Sequence, residues 1–266
     1  MIDFTHIAGV IMDMDGVLWR GDQALPGLAE WFAFLRARGI RHVMATNNSR
    51  LAPPDYLEKL ARMGVNGVSV AQIVTSGTAT VAYIQAHYPA GSLIHVLGGD
   101  GLRTMLNEGG YAVTGDVVPQ VVAVAVGVDF TLTYDKLKHA SLCLRAGADF
   151  IATNNDATFP TPEGLVPGAG SIVAALQTAS GKTPVNMGKP NAPMFEAALR
   201  ALDTQAGKTL MVGDRLDTDI LGAAAVGMQT ALVLTGVSTA DDVAESVRKP
   251  DGVYAGLPAL LEAWNC

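Results

Sequence analysis

Short, mainly apolar runs recur along the chain, each followed by a stretch whose apolar positions fall at helical spacing. The runs are Gly9–Met12, Arg41–Ala45, Gln72–Thr75, Leu93–Leu97, Val121–Val128, Phe150–Ala152, Leu210–Gly213 and Ala231–Leu234. Continuous apolar runs, as opposed to strictly alternating ones, are strands buried on both faces, and their alternation with helices predicts parallel sheets. Leu28, Trp31, Phe32 and Leu35 fall at i, i+3, i+4 and i+7 and predict a helix that Gly39 closes. Pro53-Pro54 opens the next helix, with Leu57, Leu60 and Ala61 expected to face inward. Further helices are predicted at Thr78–Tyr88, Gly101–Glu108, Tyr134–Ala146, Ser171–Ala179, Ala192–Leu202 and Thr218–Val226.

Composition narrows the class. At 266 residues the chain exceeds an average domain and falls short of two large ones, which predicts one large domain or a core with an insertion. An apolar fraction of 49% with only 16% charged residues excludes disorder and charged tails. The mean hydropathy of +0.28 raises the question of a membrane span. The longest uncharged run, Ile220–Ala240, is punctuated by Gly222, Gly227, Gln229, Thr230, Thr235, Gly236, Ser238 and Thr239, and predicts a helix end, a turn and a buried strand instead. The N-terminal MIDFTHIAGVIMDMDG has neither a basic region nor a cleavage site, so no leader is expected. A net charge of −7 without any cluster of Lys or Arg speaks against nucleic acid and anionic membrane as partners. Cys143 and Cys266 stand in neither a C-x-x-C nor a Cys/His spacing, so no disulfide framework or zinc site is expected, and a reducing, cytoplasmic location fits.

Polar residues just past the carboxyl ends of parallel strands converge on a crevice, and four segments here deliver them. The first strand ends in Asp13-Met14-Asp15-Gly16, the second in Thr46-Asn47-Asn48-Ser49, and Leu210–Gly213 in Asp214, with Asp219 five residues on. Met187-Gly188-Lys189-Pro190 supplies a basic residue before a helix. Two carboxylates as close as Asp13 and Asp15 stay ionised together only around a cation, and oxygen ligands with no His or Cys nearby favour Mg²⁺. Asp214 adds an oxygen ligand, Lys189 can neutralise phosphoryl oxygens, and Thr46 with the amides after it completes a cradle, so phosphoryl transfer is the natural chemistry. Singly, each feature has a bland reading: an Asp turn, an N-cap, a surface lysine, or, for Asp217, a helix cap. An EF-hand is excluded by Val17 and by Ala24 at the twelfth loop position.

The runs Asp13-Met14-Asp15-Gly16-Val17-Leu18-Trp19-Arg20-Gly21, Thr46-Asn47-Asn48-Ser49-Arg50, Gly188-Lys189-Pro190 and Gly213-Asp214-Arg215-Leu216-Asp217-Thr218-Asp219-Ile220 resemble the four motifs of the haloacid-dehalogenase-like hydrolases. Ala152-Thr153-Asn154-Asn155-Asp156 and Pro167-Gly168-Ala169-Gly170 are similar to the cap signature of the NagD / 4-nitrophenylphosphatase-like branch, with Asn155 where relatives often carry Pro. The resemblance implies an α/β fold: a Rossmannoid, doubly wound parallel-sheet core at 1–76 and 184–266 with an inserted α/β cap at 77–183. It implies Asp13 as a nucleophile forming an aspartyl-phosphate and Asp15 as the acid and base. It further implies Mg²⁺ on Asp13, the backbone carbonyl of Asp15 and Asp214, with Asp219 in support. Thr46, Asn47, Asn48 and Lys189 would bind phosphoryl oxygens. Asn154, Asn155 and Asp156 would choose the leaving group, with Arg50 as a cation able to offset Asp156. The expected activity is Mg²⁺-dependent hydrolysis of a small phosphate monoester: a nucleotide, a sugar phosphate, phosphoglycolate or 4-nitrophenyl phosphate. A phosphotransferase or phosphomutase, or a non-catalytic phosphometabolite-binding protein, are the alternatives, and the resemblance leaves room for a homodimer.

Other motifs fall away. Ser180-Gly181-Lys182-Thr183 ends like a P-loop but has Leu176 where the first glycine belongs. Gly168-Ala169-Gly170 lacks the third glycine of a dinucleotide fingerprint and reads as a cap hinge. The five histidines form no i, i+4 metal pair, and no G-x-S-x-G elbow is present.

Overall fold

The computed structural model describes residues 2–49, 51–161 and 164–265; Arg50 and Cys266 lie outside the described residues. The chain forms two compact units, Met1–Thr46 with Pro53–Val74 and Lys189–Cys266, and Asn47–Ala52 with Thr75–Gly188. The second unit takes in the short segment after Thr46 because the backbone carbonyl of Asn47 accepts hydrogen bonds from Ser76 Oγ at 2.6 Å and Asn154 Nδ2 at 2.8 Å.

In the first unit six strands lie in the order Gly252–Tyr254, Gln229–Val233, Thr209–Gly213, Gly9–Met12, Arg41–Thr46, Ile73–Thr75. Gly9–Met12 and Thr209–Gly213 are buried at every residue, which is why their sequences run apolar without alternation. Helix Leu28–Ala37 buries Leu28, Trp31, Phe32 and Leu35 and ends before Gly39, whose φ of 64° is left-handed. Helix Pro53–Arg62 buries Pro53, Tyr56 and Leu60, whereas Ala61, expected inside, is exposed. One residue beyond Leu60 is a turn of about 100° about the axis, which carries Ala61 off the stripe.

The expected helix Thr218–Val226 is two elements, a π-helical turn at Leu216–Ile220 and an α-helix at Leu221–Ala225. The Ile220 N–H reaches back to the carbonyl of Arg215, at 3.1 Å. Such widened turns are concentrated at functional sites, and here the turn carries Asp219. The run Ile220–Ala240 thus resolves into a helix end, a turn at Gly227 and the strand Gln229–Val233, and no helix among the described residues is long and apolar enough to cross a membrane.

The second unit holds a five-stranded sheet in the order Val185–Asn186, Asp149–Ala152, Val121–Val126, Leu93–Leu97, Ala112–Thr114, parallel throughout. Val124, Val126, Phe150, Leu144 and Ile172 form the middle of its core. Gly168 and Gly170 serve a close backbone approach. A Cβ on either would strike the backbone of residues 155–158, which packs against the start of helix Ala169–Ser180. The Gly168 N–H donates to Ala157 O and the Gly170 N–H to Asp156 O, both at 2.9 Å. Cys143 is buried and free, and burial pushes its thiol pKa up.

Candidate active site

The site of the first unit follows from sheet register. Gly9–Met12 pairs in parallel with Arg41–Thr46 on one side and Thr209–Gly213 on the other, and Met12 lies opposite both Met44 and Val212. The chain leaves this strand to one side early and returns to its other side late, which makes it the switch point where an open parallel sheet forms its crevice. Asp13, Thr46 and Asp214 therefore emerge together, and the Asp13 N–H extends the ladder to Val212 O at 2.9 Å.

Lys189 is 3% exposed, and its ammonium is fully engaged. It touches Asp13 Oδ1, lies 2.7 Å from Asp219 Oδ1 and donates to the carbonyl of Ala45 at 3.0 Å. Asp219 Oδ2 accepts from the backbone N–H groups of Asp214 and Arg215, at 3.2 and 3.1 Å. Asp219 thus meets a cation through one oxygen and two amides through the other.

Asp214 is held differently. Its Oδ2 accepts from the Val237 N–H at 2.8 Å, while Oδ1 is buried and has no hydrogen-bond partner among the described residues. The loop Thr235–Ser238 wraps this carboxylate only because residue 236 is glycine, since a Cβ there would run into it. An unsatisfied buried carboxylate oxygen is costly, and its persistence points to an absent partner.

Burial, with Asp219 and Asp214 nearby, drives the Asp13 pKa well above the ordinary carboxyl value, against the pull of Lys189. Burial and Asp219 push Asp214 up to about 6, opposed by the Val237 N–H, Lys189 and Arg215. Burial alone would lower the Lys189 pKa, and Asp13 and Asp219 together outweigh it and raise it. Three carboxylates thus confront one ammonium, with ligand atoms of Asp13, Asp214 and Asp219 all within 4.8 Å of one another. All-oxygen donors, a charge deficit and a free Asp214 oxygen fit a hard divalent cation.

Asp15 stands apart from that cluster. Its carboxylate is open to water, and its Oδ1 accepts from the indole N–H of Trp19 at 2.9 Å. Surrounding protein desolvates the carboxyl enough to raise its pKa, although Lys59, Trp19 and Lys189 oppose the rise. Asp217, expected as a helix cap, sits inside the first turn and accepts from Arg215 at 3.1 and 2.8 Å.

The first unit thus brings together Asp13, Thr46, Lys189, Asp214 and Asp219 and carries Asp15 on the turn beside them, whereas Asn47, Asn48, Asn154, Asn155 and Asp156 belong to the second. There Asn47 Nδ2 donates to Asp156 Oδ1 at 3.2 Å, Asn154 Oδ1 accepts from the Asp156 N–H at 3.1 Å, and Asn155 is exposed. Two participants escape sequence reasoning. Trp19 looks like a core aromatic, and Gly236 like any loop glycine.

The family model for haloacid dehalogenase-like hydrolases matches residues 10–112, and a HAD-hydrolase-like model matches 186–260. An acid sugar phosphatase of Staphylococcus aureus is 39% identical over 233 residues, 88% of this chain and 88% of that protein. The chain belongs to the haloacid dehalogenase-like hydrolases. Within them it is similar to the 4-nitrophenylphosphatase of Thermotoga maritima, with a TM-score of 0.91, 36% identity and coverage of 98% of both chains. It is also similar to the glycerol phosphate phosphatase of Mycobacterium tuberculosis solved with magnesium, with a TM-score of 0.88, 33% identity and coverage of 97% of this chain and 77% of that one. The Rossmannoid core that the motifs implied is the fold of this hydrolase.

Proposed function

We propose that this phosphoric monoester hydrolase acts on small phosphate esters, through an aspartyl-phosphate on Asp13. The observation that carries the reading is the buried cluster in which Lys189 bridges Asp13 and Asp219 beside an Asp214 oxygen with no partner. The names of the relatives support the substrate class: a sugar phosphatase, a 4-nitrophenylphosphatase and a glycerol phosphate phosphatase.

In the first half-reaction an oxygen of Asp13 attacks phosphorus and the bond to the leaving oxygen breaks, while Asp15 gives that oxygen its proton. In the second, Asp15 takes a proton from water as the water oxygen attacks the same phosphorus and frees Asp13. The raised pKa of Asp15 suits a group that must hold a proton and then accept one. Lys189 places positive charge against Asp13, and with Thr46, Asn47 and Asn48 it is assigned to the phosphoryl oxygens. Mg²⁺, held by Asp13, Asp214 and the carbonyl of Asp15, would supply the charge that lets a carboxylate approach a phosphate dianion. Asp219, engaged by Lys189 and two amides, is assigned to support the site from behind these ligands. Asn154, Asn155 and Asp156 of the inserted unit are assigned to the choice of leaving group.

The test is phosphate release from a panel of esters at graded Mg²⁺, with acid quenching to trap phosphate on the protein. The reading expects metal-dependent turnover and an acid-stable phosphoprotein that disappears in Asp13→Asn. Turnover that survives in Asp13→Asn at more than about a tenth of wild type would end it.

A further inference from the structure

The turn that follows the first strand closes on itself through one side chain. The carbonyl of Met14 accepts from the N–H groups of Val17, Leu18 and Trp19, and the Gly16 N–H donates to Trp19 O at 2.7 Å. Across this ring of backbone bonds the Trp19 indole N–H reaches Asp15 Oδ1 at 2.9 Å. Trp19 has no room to move. It is fully buried and stacked on Tyr56 with ring centroids 6.3 Å apart, and its face carries the Lys59 ammonium 4.5 Å from the ring centre. A cation over an indole face draws charge from the ring and strengthens its N–H as a donor.

An indole N–H donates and never accepts. The carbonyl oxygen of a protonated carboxyl accepts far better than its hydroxyl oxygen, so the indole N–H favours Oδ1 as the carbonyl oxygen and places a proton on Oδ2. We infer that Trp19 is a positioning residue of this hydrolase: it claims Oδ1 of Asp15, fixes the plane of the carboxyl and makes Oδ2 the oxygen that delivers the proton to the leaving group. The inference rests on the assignment of Asp15 as proton donor in the proposed mechanism. Tyrosine at this position would serve less well, because a hydroxyl both donates and accepts and would leave the proton free on either oxygen.

The test compares esters that differ in their need for a proton. A 4-nitrophenolate leaves without one, whereas an alkoxide, as from glycerol phosphate, does not. Trp19→Phe, and replacement of Trp19 by 3-benzothienylalanine, which keeps the bicyclic shape but lacks the N–H, should each lower the ratio of alkyl to 4-nitrophenyl kcat/KM, which reports the transfer to Asp13 and not the hydrolysis both esters share, by about tenfold or more. The second replacement preserves the packing, so it decides the matter where Trp19→Phe folds poorly. Equal loss on both esters, or an unchanged ratio in the benzothienyl protein, overturns the inference while Asp15→Asn still lowers the ratio. An unchanged ratio in Asp15→Asn itself overturns the role of Asp15, and the inference with it.

Discussion

Both units are parallel sheets flanked by helices, yet the polar residues at their strand ends are treated in opposite ways. In the first unit, Asp13, Asp214 and Asp219 crowd within 4.8 Å around one lysine, and Asp214 keeps an oxygen without a partner. In the second, Asp129 follows the strand Val121–Val126 and is satisfied locally, accepting from Thr131 N and Oγ1, both at 2.8 Å, and from Lys136 Nζ at 2.8 Å. Asn154, after Asp149–Ala152, likewise bonds the peptide two residues on. The contrast teaches that burial of a charge is no sign of function. What marks a site is a buried charge that its own neighbourhood leaves short of partners, because such a group costs stability that only a ligand or a reaction offsets.

The largest effect belongs to the nucleophile of the first unit. Asp13→Asn should cost on the order of 10⁴-fold in kcat with the fold retained, since the amide keeps the shape and removes the nucleophile. Circular dichroism and steady-state kinetics on one preparation check both halves.

Next in size is Gly236→Ala. A Cβ there displaces the Asp214 carboxylate, so Mg²⁺ affinity read by titration should fall about 10–100-fold and activity should recover at high Mg²⁺. Gly99→Ala in the second unit meets only the Val128 carbonyl at 3.8 Å and should alter neither quantity.

Asp156→Ala should then reorder kcat/KM across a panel of phosphate esters by about tenfold, roughly 1.4 kcal/mol, while a small featureless ester changes little. A uniform loss would assign residue 156 to the folding of its loop, whose peptide already bonds Gly170.

The smallest effect belongs to Asp129. Burial raises its carboxyl, but the bonds from Lys136 and Thr131 outweigh burial and hold its pKa below the ordinary value. A lowered folded-state pKa contributes stability above the unfolded value of about 4, and that stability is lost as pH falls through the folded pKa. Asp129→Asn should therefore destabilise by about 1–2 kcal/mol at neutral pH without touching kcat, and the gap in melting temperature from wild type should close below about pH 4. A gap that persists in acid would mean that Asp129 acts through packing alone.

Much of the fold is legible in the order of apolar and polar residues. The helix at Ala192–Leu202 and the strands at Gly9–Met12 and Leu93–Leu97 carry the bounds that their patterns predict, since long uniform burial or a clean stripe leaves one solution. The short edge elements are not legible: Ala112–Thr114, Val185–Asn186 and Gly252–Tyr254 are two or three residues long and owe their conformation to the strand beside them. The π-helical turn at Leu216–Ile220 is equally hidden, because its cause is the demand of two backbone amides for the Asp219 carboxylate.

By itself, then, the sequence determined which residues could do chemistry and at which strand ends they stand, because apolar runs and residue types are local properties read in order. Only the tertiary structure decided how they divide. It put Lys189, 176 residues from Asp13, onto that carboxylate, and Asn47, 109 residues from Asp156, into the other unit. It alone set Asp214 Oδ1 without a partner and Trp19 against Asp15, because hydrogen bonding and burial depend on distances that only packing creates.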